Sequence, residues 1–462
     1  MRDSRPAARS YSTPTRICSL PALLLPVVAA AGCVAYEPRP LDPEAILRDL
    51  ERVELPATTD SSAAGGAATP QLTARQAAGW AVAHNPGLKA LRADLGIAQA
   101  ELVRAGLLPD PAIGWESMNA LAIQFAGGTP HQADYVAGLV ASWPVPRPGE
   151  IGAREDQASA HLQGARSSVL AAEWSLARNV HLACLDLEAV RAKLQLNARV
   201  LETARRTADF FAEARRAGGA TAVQENLAGI ELAGREQERI RLEGEQRAAR
   251  QEVHRWLGIP PDAPLDVTMG ADPFVLPSLP DKDTTALVNA ALQKRPDLLQ
   301  IMAEYDASEA ELRLEVARQW PQLSIGTGLA IVLPFFSRWN RPAIDAAMAR
   351  REKVEAEVRA AVHSLRADVH AAVASEQEAV RQVRHFEENL LPKVQESLRL
   401  TDEALRVREV TAIEILTAQR QVLDVQNNYL EARIRAARAR LLLDTATGAV
   451  LADEARSHKG ED

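Results

Sequence analysis

Ala81-Val-Ala-His-Asn-Pro86-Gly-Leu88 returns 210 positions later as Ala291-Leu-Gln-Lys-Arg-Pro296-Asp-Leu298, and this recurrence decides the fold. The same offset pairs Ala100-Glu101-Leu102 with Ala310-Glu311-Leu312. After a two-residue shift, Pro109-Asp-Pro-Ala-Ile113-Gly114 aligns with Pro321-Gln-Leu-Ser-Ile325-Gly326. Farther on, Arg216-Ala-Gly218-Gly-Ala-Thr221-Ala222-Val223 matches Arg406-Val-Arg408-Glu-Val-Thr411-Ala412-Ile413 at an offset of 190. Matches that keep one order along the chain mark a duplicated unit.

Each copy reads as helix, short β segment, very long helix, tight turn, long helix. Pro86 and Pro296 fall between helical stretches and start the second of each pair. The β segments open after Pro109 and Pro321. In the first copy, Ala112–Ala122 and Asp134–Trp143 flank Gly127-Gly128-Thr129-Pro130, a hairpin signal. Helix resumes after Pro148 and runs uninterrupted by proline to about Ala214, a run of about 65 residues and about 100 Å at 1.5 Å each. Seven-residue ladders run along it: Leu162, Val169, Leu176, Ala183, and, offset by four, Val180, Leu187, Leu194, Leu201, Ala208. Val358, Leu365, Ala372, Ala379 and Phe386 repeat the pattern in the second copy. Sustained heptads predict coiled-coil packing, and Pro392 predicts a kink in the second long helix.

The predicted organisation is a first repeat over 72–258, a proline-rich linker over 259–281 and a second repeat over 282–447, followed by a tail over 448–462. Hairpin 112–143 and tip 216–221 belong to the first repeat; β segment 322–336 and tip 406–411 belong to the second. The second β segment is short: Ile325 to Pro334 replaces the much longer Ile113 to Pro146. A membrane-crossing strand needs about 9–11 residues, so a stubby turn is expected there.

Upstream, Arg2, Arg5, Arg9 and Arg16 precede an apolar run from Ile17 to Ala31, too short to span a bilayer. This is the pattern of a secretory signal over 1–32. Ala30-Ala31-Gly32-Cys33 resembles a bacterial lipoprotein box, which implies that Cys33 carries the lipid attachment (fatty acyl chains). Residues 33–71, rich in Pro, Ser, Ala and Gly, read as a lipid-anchored flexible tether.

Composition narrows the function classes. The 462 residues carry 53 basic and 61 acidic side chains, a net charge of −8, which argues against nucleic acid as a partner. Three cysteines cannot build a disulfide framework or a thiolate zinc site. No paired-histidine metalloprotease motif, phosphate-cradling glycine loop or nucleophile elbow is present, so neither an enzyme, a cofactor nor a resident metal is expected. His363 and His370 read as solvated positions, and Cys184 as a small core residue.

Leu72-Thr-Ala-Arg-Gln-Ala-Ala with Asn85-Pro86, Ala105-Gly-Leu-Leu-Pro109-Asp-Pro, and Ile413-Glu-Ile-Leu416-Thr-Ala418-Gln419-Arg420 carry a resemblance. With the duplication, they resemble the outer-membrane efflux proteins of the TolC family. The Leu-Leu-Pro-Asp-Pro stretch looks most like its heavy-metal efflux branch. The resemblance implies a mainly α fold in which the duplicated helix–β-hairpin–long-helix unit forms a trimeric α-helical barrel with a short outer-membrane β-barrel segment. It implies a homotrimer in contact with outer-membrane lipid, lipid-anchored there and extending into the periplasm. Its partners would be a periplasmic adaptor (membrane fusion) protein and an inner-membrane pump, and its role that of a passive conduit, with metal cations as one candidate cargo. A non-conducting structural lipoprotein with a similar helical tube stays open, because the second hairpin is short.

The family places its adaptor contacts at the helical tips, which makes Arg216, Gly218, Thr221, Arg406, Arg408 and Thr411 the candidates. Arg408 stands where the family usually has glycine. Trp115, Tyr135, Trp143, Trp320 and Trp339 fall in or beside the β segments and are candidates for a membrane aromatic girdle. Glu225, Glu409 and Glu414 near the tips would bias the entrance toward cations.

Overall fold

The computed structural model describes residues 36–51, 71–118, 136–270, 272–275, 283–326, 329–407 and 412–449. The signal stretch, Cys33, the Gly127–Pro130 turn, Tyr135, Arg408, Thr411 and the chain beyond Ala449 lie outside the described residues.

Residues before 53 form a separate unit. Its one described helix, α1 (Pro43–Glu51), buries no residue. A largely flexible tether over 33–71 therefore needs correcting at this helix and at Gln71, which opens β1 (Gln71–Thr73).

In the second unit the two copies are built alike. The first contains α2 (Ala74–His84), α3 (Pro86–Ala105), β2 (Ala112–Met118), β3 (Val136–Val145), α4 (Glu150–Arg216) and α5 (Ala222–Leu257). After β4 (Asp266–Thr268), the second contains α6 (Thr284–Lys294), α7 (Pro296–Ala317), β5 (Gln322–Gly326), β6 (Leu329–Val332) and α8 (Arg341–His385). It ends with a π turn (Phe386–Leu390), α9 (Leu391–Val407) and α10 (Ala412–Ala446).

The repeat is visible in the core. Ala81 and its counterpart Ala291 are both fully buried, and Leu88 and Leu298 are buried with them. Val253 and Leu443, related by the 190-residue offset, close the two clusters. Gly258 and Gly448, at the same offset, end their helices at φ 72° and 71°, a left-handed conformation that glycine adopts without a Cβ clash. At the α2–α3 break, Asn85 caps α3 through a 2.8 Å bond from the Gly87 N–H. Its counterpart Arg295 makes no such cap and instead reaches Asp297 at 2.6 Å and Asp368 of α8 at 3.3 Å.

The heptad ladders of α4 face the core. Leu162, Val169, Leu176 and Ala183 are all buried, as are Val180, Leu187 and Leu201, while Leu194 and Ala208 are half-buried. Of the ladder expected in the second copy, only Leu365 and Ala379 are buried, with Val358, Ala372 and Phe386 half-buried. The buried stripe of α8 runs through Leu365, Val369, Val373, Glu376, Val380 and Val383, whose spacing of three and four keeps one face inward. Where Pro392 predicts a kink, the helix widens into the π turn, and Leu391 donates to the Phe386 carbonyl five residues back. Proline has no N–H for the carbonyl four residues before it and crowds that carbonyl, so the preceding turn loosens.

The proline-rich stretch after α5 is more than a connection. Ile259, Ala263, Leu265 and Val267 are buried in the first cluster, and β4 pairs in parallel with β1, Gln71↔Asp266 to Thr73↔Thr268. His254 reaches the carbonyls of Pro261 and Leu265 at 3.1 and 3.3 Å, and Arg250 donates to those of Ala263 and Leu265 at 3.3 and 3.0 Å.

The four longer strands form one sheet in the order β2-β3-β5-β6, so the hairpins of both copies lie side by side. β3 joins them antiparallel to β5, with Trp143 opposite Ile325. The second β segment is a hairpin of five- and four-residue strands, which agrees with its short sequence.

Candidate functional site

Two regions hold the candidate residues: the turn at the end of α4 and the foot of the sheet. At the first, α4 stops through a Schellman motif. The Gly218 N–H donates to the Arg215 carbonyl at 3.0 Å and the Gly219 N–H to the Ala214 carbonyl at 2.7 Å, with Gly218 at φ 74°. Thr221 then opens α5 with a capping box: Gln224 N–H to Thr221 Oγ1 at 3.3 Å, and Thr221 N–H to Gln224 Oε1 at 2.8 Å. Arg216 and Gly218 are exposed on this turn, as is Thr221. Arg406 lies in the last turn of α9, and α10 begins at Ala412.

The expected negative entrance is reduced at Glu225, which is paired with Arg215. An ion pair satisfies that carboxylate within the turn, so it is not a free charge. Nearby, a cluster joins the two helical hairpins. Glu231 of α5 accepts from Arg420 of α10 at 3.0 and 3.1 Å and from Arg235 at 2.7 Å. Burial pulls the Glu231 pKa up, but the hydrogen bonds and charges of Arg235 and Arg420 outweigh it and hold the pKa below the ordinary value. Arg420 belongs to a motif legible in the sequence. Its partner, 189 positions away, carries no local signal.

At the foot of the sheet, Trp143 is half-buried and donates its indole N–H to the Pro109 carbonyl at 2.8 Å. Trp320 is exposed, and its carbonyl accepts from Arg147 Nε at 2.8 Å. Arg147 and Arg154 both pair with Glu150, at 3.4 and 2.5 Å; Glu150 is buried at the first residue of α4. This junction ties the start of α4 to the end of α7, and Arg147 and Glu150 gave no signal in the sequence beyond lying next to a turn. Trp115 is in β2 opposite Leu139.

The turn from β6 into α8 is unusual. Arg338, Trp339 and Asn340 all have left-handed φ values of 50°, 57° and 62°, each of which costs a non-glycine residue about 1–2 kcal/mol. Asn340 Nδ2 holds the turn by donating to the Glu315 carbonyl at 2.9 Å and to its carboxylate at 2.8 Å. The result presents Phe335, Phe336 and Trp339 to the outside, with Phe335 and Trp339 edge to face at 5.5 Å.

Among the described residues, no group of three or more His, Cys, Asp or Glu side chains is placed to hold a metal ion. His363 and His370 are exposed on α8. Among the same residues, no helix is long and apolar enough to cross a membrane. Burial pushes the Cys184 thiol up to about 12.

Comparisons with known proteins agree with this architecture. The chain is similar in structure to the outer membrane protein VceC from Vibrio cholerae (TM-score 0.65, 17% identity, covering 81% of this chain and 96% of that one). It is also similar to the MtrE outer membrane channel of Neisseria gonorrhoeae, described in its open state (TM-score 0.65, 18% identity, 87% and 97% covered). A third likeness is to the CmeC outer membrane channel of Campylobacter jejuni (TM-score 0.65, 13% identity, 89% and 98% covered). The comparison with curated proteins gives no match. A family model described as "Outer membrane efflux protein" matches residues 79–259 and 324–449, one segment in each repeat. With the matched helical hairpins and the shared sheet, this places the chain in the outer membrane efflux protein family, the TolC family.

Proposed function

We propose that three copies of this chain form the outer-membrane conduit of a tripartite efflux system. The observation that supports this reading best is the pair of long helical hairpins, α4–α5 and α8–α10, both rooted in one sheet. At 67 residues, α4 is about 100 Å long, the scale of a passage across the periplasm. One chain leaves its narrow apolar seams against few neighbours. A ring of copies buries them around a bore.

In this reading β2 and β3 enter the outer membrane, with Trp115, Tyr135, Trp143, Trp320 and Trp339 around its headgroup layers and acylated Cys33 as a second anchor. A periplasmic adaptor meets the tips at Arg216, Gly218, Thr221, Arg406, Arg408 and Thr411 and couples them to an inner-membrane pump. The sequence carries no phosphate-cradling glycine loop, and this reading takes transport through the conduit as passive. Metal cations are the cargo class that Leu107-Leu-Pro109-Asp-Pro suggests.

The short second hairpin favours a second reading, a helical tube without a working pore. Planar-bilayer recording separates the two, since a conduit gives unitary conductance steps and a scaffold none. Deleting the gene should sensitise cells to the exported compounds. A purified protein that stays a soluble monomer would end both readings.

A further inference from the structure

The two hairpins of the sheet reach different heights. β2 and β3 stay paired from Ala112↔Ser142 up to Met118↔Val136. β3 meets β5 only along its lower end, from Val145↔Leu323 to Ser142↔Gly326. β5 ends at Gly326, opposite Ser142, and β6 begins at Leu329, opposite Ile325. Both strands of the second hairpin therefore stop short of Ala141. The packing there agrees: a Cβ on Gly326 would fall 1.8 Å from the Ala141 carbonyl oxygen. Residues 136–140 of β3 continue past this point, about 17 Å of strand at 3.4 Å per residue.

One edge of that upper stretch faces β2. The opposite edge has risen beyond β5 and has no strand beside it among the described residues. β2 is the outermost strand on its own side, so its far edge too has no strand beside it among the described residues. Backbone N–H and C=O groups in hydrocarbon must be paired within protein, and a sheet there must close on itself. The second hairpin cannot supply the missing partner, because five- and four-residue strands are too short to cross the layer.

Resting on the reading of β2–β3 as the membrane segment, we infer that the free edge of β3 above Ala141 pairs with the free edge of β2 in a second copy. The order β2-β3-β5-β6 makes the contact antiparallel, since β3 descends where the neighbour's β2 ascends. Repeated head to tail, such a contact closes a ring. The sheet then has four strands per chain at its foot and two per chain above the short hairpins. It tapers outward, and the outer mouth is the narrowest part of the conduit. Eight strands already enclose a space that side chains fill, and three copies bring fewer than that to the mouth.

Cross-linking between copies tests the taper. Two differently tagged chains are co-expressed, one with Glu116→Cys and the other with Gly138→Cys or Val140→Cys, and outer-membrane fractions are oxidised. Because each chain has one introduced thiol, a disulfide carrying both tags must join two copies. A lower pair, Asp110→Cys with Pro144→Cys, is examined in the same way. At the level of Pro144, where Ser324 of β5 pairs with Ala330 of β6, both strands stand between the copies, a gap of about 14 Å at about 4.8 Å per strand, and a disulfide needs Cα atoms within about 7 Å. The expected result is a doubly tagged covalent dimer from the upper pair and none from the lower. Intact trimers with no upper dimer would overturn the taper and leave the conduit reading standing, as would equal dimer formation at both levels. Absence of trimers from the outer membrane would overturn both.

Discussion

Leu265 tests whether the stretch between the repeats is held as part of the core. Its side chain is fully buried among residues of α2, α4 and α5, and its carbonyl accepts from Arg250 and His254. Leu265→Ala keeps both backbone bonds and removes three buried carbons. Buried Leu→Ala changes cost about 2.7–5 kcal/mol, depending on how far the surroundings collapse. Ile259 and Val267 remain on either side to relax into the space, which places the cost near the lower end, about 3 kcal/mol. Each 1.4 kcal/mol is a factor of ten, so local opening of this stretch becomes about 100-fold more frequent. Amide hydrogen exchange read by mass spectrometry on the assembled protein reports that opening directly, because exchange of β4 amides tracks its equilibrium. Peptides over 262–270 should exchange about 100-fold faster, while peptides over 365–373 in the second cluster stay unchanged. An acceleration below about fivefold would refute the reasoning and return the stretch to a loose connection.

Three further outcomes follow from the geometry. Gly218→Val forces a β-branched side chain into φ 74° and weakens the α4–α5 turn by about 1–2 kcal/mol. Export in a complementation assay should fall while native gels still show full assembly. Cys184, with its thiol at about 12, is thiolate in only about one molecule in 10⁴ at pH 8. Iodoacetamide should leave it unmodified in the folded protein and alkylate it fully in denaturant, and rapid labelling without denaturant would contradict its packing. The Glu231 carboxyl sits below its ordinary value of 4.5, so its contribution to joining α5 and α10 is complete above that pH and is lost as pH falls through the lowered value. Spin-label distances between α5 and α10 should hold from pH 8 to 5 and widen only below about 4.5, whereas Arg420→Ala should widen them at neutral pH. Arg420 is 64% exposed, so the effect belongs to local spacing rather than to global stability.

Much of this fold was legible because it is written twice. Ala81 and Ala291 hold matching places, each fully buried in a cluster that packs a short helix against a long one. The ladders of α4 were readable from period alone, and the first tip from Gly218 and Thr221, whose backbone and capping roles are local; the strict seven-residue ladder of α8 caught only Leu365 and Ala379 of its buried face. The packed course of 259–274 was not readable. Its prolines signal the absence of helix equally well for a loose linker and for a stretch laid into a core. The Glu231–Arg420 pair was hidden because both residues sit in charged helical surface where nearly every turn carries an Arg or a Glu.

The sequence by itself determined the long helices, the first turn and the shortness of the second hairpin, because each depends on residues near one another in the chain, and the duplication, because its matches keep one order along the chain. Tertiary structure alone decided that the two hairpins share one sheet, that Arg147 ties α4 to the end of α7, and that β3 rises past its neighbour beyond Ala141. Those are matters of register and contact between segments about 175 or more positions apart. No local preference of a residue specifies them, only the requirement that backbone groups and buried charges find partners across the fold.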